Sequence, residues 1–226
     1  MTLHIGLLVF PKVQQLDLTG PYDVFASLPD VAVHLVWKNL DPLLSSTGLG
    51  LQPTQTFADC PDLDVICVPG GIGIDALLED PDTLAFIRRQ AQNAQYVTSV
   101  CTGALVLGAA GLLNGKRATT HWASHSLLEP FGAIPVKERV VRDGNVMTGG
   151  GVTAGIDFAL TLISELFGAE KAQTVQLQIE YAPAPPFDAG TPDTAPANVL
   201  AIAAERAAPG LEVRRQIVKR VLAARD

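Results

Sequence analysis

Tyr96-Val97-Thr98-Ser99-Val100-Cys101-Thr102-Gly103-Ala104-Leu105-Val106-Leu107 passes directly from a β-prone apolar run into a helix-prone one, with a cysteine at the junction. A strand that turns at once into a helix needs a sharp corner, a nucleophile elbow, which points its corner side chain out of the top of a sheet. The amides opening the following helix favour negative charge there, so the pattern predicts a reactive thiol of lowered pKa. Free cysteine also commonly serves as a small buried hydrophobe, and the local pattern is compatible with both roles.

Outward from this corner, short β-prone runs alternate with helical periodicity. Ile5 to Phe10, Val31 to Trp37 and Val65 to Val68 read as buried strands, with Leu16 to Leu28 and Asp80 to Ala94 as helices, the second opened by Asp80-Pro81. This alternation predicts an α/β fold with a mostly parallel sheet covered on both faces. Arg117 to Thr120 and Val146 to Thr148 are further candidate strands, the second preceded by a tight turn at Asp143-Gly144-Asn145, and Thr153 to Phe167 and Ala172 to Tyr181 read as helices. Ala182-Pro183-Ala184-Pro185-Pro186-Phe187, with Gly190, Pro192 and Pro196, cannot be helical. Residues 182–197 are therefore expected to form an extended arm of the kind that packs on a partner subunit. Residues 198–226 form a helix-prone tail, expected to break at Pro209-Gly210. Its Arg214, Arg215, Lys219 and Arg220 make either a solvated helix face or a phosphate-binding one. No repeat or clean linker divides the chain, so residues 1–226 are expected to be a single domain.

With 48% hydrophobic and 17% charged residues, 226 residues suffice for one large core. A formal net charge of -7 offers no general attraction to nucleic acid or anionic lipid and favours a small, weakly polar partner. Cys60, Cys67 and Cys101 are odd in number and lack paired metal spacing, so neither a disulfide framework nor a metal site is expected, and a reducing cytoplasm is. The amino-terminal residues run into a strand without a basic region or cleavage site, and no apolar run approaches the roughly 20 residues of a membrane span.

Ligands of open parallel sheets collect beyond the carboxyl ends of the strands, and two further features lie there. Val65 to Val68 ends in Pro69-Gly70-Gly71, where backbone amides can approach a ligand unobstructed. Gly71 is the stronger candidate for an oxyanion-type pocket, with the Thr102 amide as its partner; a tight strand-to-helix turn also accounts for the glycines. Asp17 follows the first strand, flanked by Leu16 and Leu18. It is either a helix cap or a partly desolvated carboxyl that carries a proton beside Cys101.

The four histidines, His4, His34, His121 and His125, all precede Asp143, so a late Cys-His-Glu triad of the glutamine amidotransferase kind is unavailable. His121 follows a candidate strand at the same sheet edge as Cys101, which leaves a catalytic role open to it, although a backbone-bonded imidazole is the expected role. His121 and His125 have the spacing of two helix-borne metal ligands, but no third ligand lies between them and no metal is expected. Gly149-Gly150-Gly151 lacks the lysine and spacing of a phosphate loop and reads as close backbone packing.

Pro69-Gly70-Gly71, Ser99-Val100-Cys101-Thr102-Gly103 and Ala118-Thr119-Thr120-His121-Trp122 resemble the ThiJ/PfpI superfamily along nearly the whole chain. The Asp17 segment, Thr148-Gly149-Gly150-Gly151-Val152-Thr153-Ala154-Gly155-Ile156-Asp157, and Glu180-Tyr181-Ala182-Pro183-Ala184-Pro185-Pro186-Phe187 resemble its isocyanide hydratase branch. The resemblance implies a flavodoxin-like α/β fold, a homodimer, no cofactor, a small-molecule isocyanide as substrate and Cys101 as nucleophile. Most superfamily members place a glutamate where this chain has Asp17; aspartate there is shared with the amidase-like sensor domains of AraC-type regulators. Those regulators carry a helix-turn-helix region after this domain, and the residues beyond Pro196 are too few to build one. Glyoxalase or deglycase chemistry and a non-enzymatic sensor are the competing readings. Pocket size is expected to depend on side chains such as Val152.

Overall fold

Val65–Val68 is buried at all four positions, as a strand must be when helices cover both faces of its sheet. The computed structural model describes residues 2–224; Met1 and the last two residues of the expected tail, Arg225 and Asp226, lie outside the described residues. In chain order the elements are β1 (Leu3–Leu8), α1 (Gln15–Ala26), β2 (Val31–Trp37), β3 (Leu43–Leu44), β4 (Gly50–Leu51), β5 (Gln55–Thr56), β6 (Val65–Val68), α2 (Ile74–Leu77) and α3 (Pro81–Ala91). They continue with β7 (Tyr96–Val100), α4 (Gly103–Ala109), β8 (Arg117–Ala118), β9 (Ile134–Pro135), β10 (Val140–Asp143), β11 (Val146–Gly149), α5 (Ala154–Phe167), α6 (Ala169–Gln178) and α7 (Ala197–Ala223).

Seven strands form one sheet in the order β10-β11-β7-β6-β1-β2-β5, parallel except for the β10–β11 hairpin at one edge. The chain is a flavodoxin-like α/β sandwich. β1 hands on to β2 on one side while β6 hands on to β7 on the other, so the order reverses between β1 and β6, which makes that point the topological switch of the sheet. Large apolar side chains fill both faces. Phe25 of α1 and Phe158 of α5 meet edge to face with ring centroids 6.2 Å apart, locking the two helices together over the sheet. No helix among the described residues is long and apolar enough to cross a membrane.

β2, β6 and β7 have the bounds read from their apolar runs. β1 lies two residues ahead of the expected Ile5 to Phe10, since Val9 and Phe10 are buried beyond the end of the strand. Other expectations change as well. Arg117 to Thr120 is not a strand of the main sheet: β8 stops at Ala118 and pairs only with β9. Thr119 and Thr120 leave that ladder because the Thr119 amide donates to Thr148 Oγ1 at 2.9 Å and the Thr120 hydroxyl to the Cys101 carbonyl at 2.7 Å. The helix expected from Ala172 starts at Ala169, directly after Gly168 reverses the chain at φ +90°. The tail does not break at Pro209: α7 runs 27 residues through it. The lost hydrogen bond falls on a solvent-exposed stretch, where an orphaned carbonyl is open to hydration.

The basic cluster of α7 is also not a phosphate face. Arg214 donates to Asp75 of α2 at 2.7 Å and to Ser124 at 3.1 Å, and Arg220 forms a two-pronged pair with Glu79 at 2.8 Å for both contacts. With Ile217 and Val218 buried beneath, these arginines dock the helix onto the body of the protein.

Candidate active site

Three crossovers bring the chemistry to one edge of the sheet. Cys101 ends β7 with φ +56°, the left-handed conformation that a nucleophile elbow demands and that a β-carbon disfavours. Its amide donates to the Gly149 carbonyl at 3.0 Å and its carbonyl accepts from Thr120, so neighbours on both sides pin the corner. Gly103 is obligatory just behind it, since a β-carbon there would lie 1.9 Å from the Val68 carbonyl oxygen.

Asp17 is fully buried as the third residue of α1, where its amide donates to the Gln14 carbonyl at 3.0 Å. The carboxylate does not cap its helix. Oδ2 instead accepts the Gly70 amide at 2.9 Å, and the Cys101 thiol is a hydrogen-bonding partner of the same carboxyl group. The other oxygen, Oδ1, is buried with no geometric hydrogen-bond partner. Burial pushes the Asp17 pKa from 3.8 up to about 7, against the opposing pull of the Gly70 amide and Cys101.

The thiol moves the other way from its expectation. Burial first, and then the negative charge of Asp17, push the Cys101 pKa up, and the Thr102 amide and hydroxyl offset only part of this. α4 has seven residues, too short a dipole to overcome desolvation at a side chain only 5% exposed. The shifts of the two partners describe one unit, a thiol and a carboxyl that retain a proton between them near neutrality.

Gly71 and Thr102 adjoin this pair, but not as two free amides. The Gly71 amide, at φ +127°, donates to Thr102 Oγ1 at 3.1 Å, and the Thr102 hydroxyl engages Gly71 rather than Asp17. The Thr102 amide and hydroxyl both favour negative charge on the sulfur. Gly70 is the residue that sequence reasoning passed over: a β-carbon on it would lie 2.6 Å from the Thr102 nitrogen and 2.8 Å from Asp17 Oδ2. Thr120 was equally unsignalled, because its contact with Cys101 depends on where β8 ends.

Among the described contacts no hydrogen bond joins His121 to the pair. Its Nδ1 accepts the Ala123 amide at 3.4 Å at the start of a 3-10 turn, Trp122–Leu127, and burial together with the charge of Arg214 lowers its pKa. His125 Nε2 contacts the Val136 carbonyl at 3.1 Å. Among the described residues no group of three or more His, Cys, Asp and Glu side chains is placed to hold a metal ion.

Next to the elbow lies a cavity of about 550 Å³, whose walls include Thr120, His121, Trp122, Arg139, Val152 and residues 190–193 of the arm. Cys101 and Asp17 are not on its walls, but Thr120 and Gly150 are, one holding the Cys101 carbonyl and the other following the Gly149 carbonyl that holds its amide.

Residues 4–165 match the model of the DJ-1/PfpI family. The chain belongs to the DJ-1/PfpI family. Within it, the chain is 71% identical over 223 residues to the isonitrile hydratase of Pseudomonas putida, covering 99% of this chain and 98% of that one. A crystal structure of a ThiJ/PfpI family protein from Pseudomonas syringae superposes with a TM-score of 0.94 at 45% identity, over 96% of this chain and 91% of that one. The HTH-type transcriptional regulator GbdR of Pseudomonas aeruginosa strain PAO1 is 30% identical over 139 residues, which is 61% of this chain and 38% of the regulator.

Proposed function

We propose that this DJ-1/PfpI protein is an isocyanide hydratase, converting R–N≡C and water into the N-substituted formamide. The observation that carries the reading is the 71% identity to the Pseudomonas putida isonitrile hydratase over nearly the full length of both chains. The buried Cys101–Asp17 pair with the cavity beside it supports the chemistry.

The terminal carbon of an isocyanide accepts both a nucleophile and a proton, and the pair holds one of each. Cys101 Sγ attacks that carbon while the proton shared with Asp17 passes to the same carbon, giving the thioimidate Cys–S–CH=N–R and an ionised Asp17. Asp17 next takes a proton from water as the hydroxyl adds to carbon, and returns it to nitrogen. When the tetrahedral intermediate collapses, the hydroxyl proton goes back to Asp17, the C–S bond breaks and R–NH–CHO leaves. Every atom comes from isocyanide and water, so the route calls for no cofactor. Within it, Gly70 orients Asp17, the Thr102 amide steadies sulfur, and Gly71 acts through the Thr102 hydroxyl.

The reading extends to one domain with an arm and tail, working as a homodimer. The apolar side chains of Phe187, Val199 and Ile202, exposed along the arm and outer half of α7, support the second part. Purified protein incubated with an alkyl isocyanide should release the formamide, identified by mass, and Cys101→Ala should release none. A folded native protein that makes no formamide refutes the activity; a Cys101→Ala protein with full turnover refutes the covalent route.

A further inference from the structure

Two stretches that tie this sequence to the hydratase branch, 148–157 and 180–187, supply no acid, base or nucleophile to the Cys101–Asp17 pair, yet the fold joins them. Asp157 Oδ2 accepts hydrogen bonds from Arg139 Nε at 2.7 Å and from the Tyr181 hydroxyl at 2.9 Å. Arg139 also reaches Thr153 Oγ1 at 3.2 Å, and its carbonyl accepts the Gly150 amide at 2.9 Å. Arg139, Gly150 and Thr153 all line the cavity. Tyr181 is the last residue before the arm, and residues 190–193 of that arm form part of the cavity wall. At its far end the arm runs into α7, which Arg214 and Asp75 dock. The segment over the cavity is thus secured at both ends, by Tyr181, whose hydroxyl bonds Asp157 and whose backbone bonds Gln176, and by α7 on α2, while no side chain of residues 182–190 makes a hydrogen bond to the body of the protein among the described contacts.

We infer that Asp157 is a positioning residue for substrate selection: by holding Arg139 and Tyr181 on one carboxylate oxygen it makes the arm a wall of the chamber that receives the organic substituent of the isocyanide. The inference rests on the hydratase reading for its substrate. The isocyano group is linear and bears its reactive carbon at the tip, so the substituent lies on the far side of that group from sulfur. A small alkyl group leaves a cavity of this size largely unfilled and gains little from the arm. A bulky aryl group fills the space between Trp122, Val152 and the arm, and depends on the arm's position.

Tyr181→Phe tests this, because it removes only the hydroxyl and leaves the Arg139–Asp157 pair in place. With an aryl isocyanide the KM should rise about fivefold, the worth of one net hydrogen bond, with kcat little changed. With a small alkyl isocyanide both constants should stay near native. Quenching of tryptophan emission by acrylamide supplies a readout independent of turnover. Trp122 is 37% exposed on the cavity wall and Trp37 only 8%, so a released arm should raise the quenching. Asp157→Asn, which also weakens the hold on Arg139, should move both readouts further in the same direction. Unchanged quenching, or raised quenching with an unchanged aryl-to-alkyl selectivity, overturns the inference. A native protein that yields no formamide overturns the hydratase reading instead, and the quenching still reports whether Tyr181 holds the arm.

Discussion

Replacing Asp17 with asparagine should remove turnover and make the protein's stability less sensitive to a rise in pH from about 4 to about 7. In the folded chain the Asp17 pKa rises from the ordinary 3.8 to about 7 because its side chain is fully buried. Between these two values the folded state keeps a proton that the unfolded chain has released. Stability therefore falls as pH rises from about 4 to about 7 and is flat beyond. At 1.36 kcal/mol per pKa unit, the fall attributable to this one group is roughly 4 kcal/mol. That is a large share of the roughly 5–15 kcal/mol that holds a typical domain together. Asparagine keeps an acceptor for the Gly70 amide but places an amide donor where Oδ1 now has no partner, a pH-independent cost of about 1–3 kcal/mol. Urea unfolding of both proteins at pH 4 and pH 8, at one protein concentration, separates the two effects. The variant should be the less stable protein at pH 4, and the difference should shift in its favour by about 4 kcal/mol at pH 8. Groups that titrate alike in both proteins cancel. A stability difference constant to within about 1 kcal/mol across that range would show that burial does not hold a proton on Asp17.

Gly70→Ala forces a β-carbon to within 2.6 Å of the Thr102 nitrogen, which cannot move without bending the elbow. A loss of about 2–3 kcal/mol in stability and at least about 100-fold in formamide production is expected, and near-native values of both would refute the tight packing. Pro209→Ala restores an N–H to the exposed interior of α7, so thermal unfolding should move up by several degrees; a lower Tm would mean that the proline shapes the helix rather than merely interrupting its bonding.

The sheet was legible because its strands bury both faces: continuous apolar runs such as Val65–Val68 and Tyr96–Val100 have one workable environment. The two-residue strands β3, β4, β5 and β9 carry no periodicity long enough to read. Cys101 and Asp17 could be picked out from their places after strands, but the direction of the thiol's pKa could not. It depends on how deeply the corner is buried and on the charge of Asp17, and neither is local to the cysteine. The different surroundings of Gly70 and Gly71 were hidden for a similar reason. Both glycines have amides, and only the path of α1 decides that Gly70 meets the carboxylate while Gly71 meets the Thr102 hydroxyl. Continuity of α7 through Pro209 depends on solvent reaching one orphaned carbonyl, which composition does not reveal.

At the elbow, Gly149 holds the amide of Cys101 and Thr120 its carbonyl, so the backbone on both sides of the sulfur-bearing carbon is immobilised. What remains free is a single torsion, χ1. A longer nucleophile such as lysine would carry several rotors, each to be frozen as the reaction begins, at up to about 2 kcal/mol in total. Here the aim of the sulfur is established once, when the chain folds, and successive substrate molecules meet a nucleophile with almost no orientational entropy left to lose.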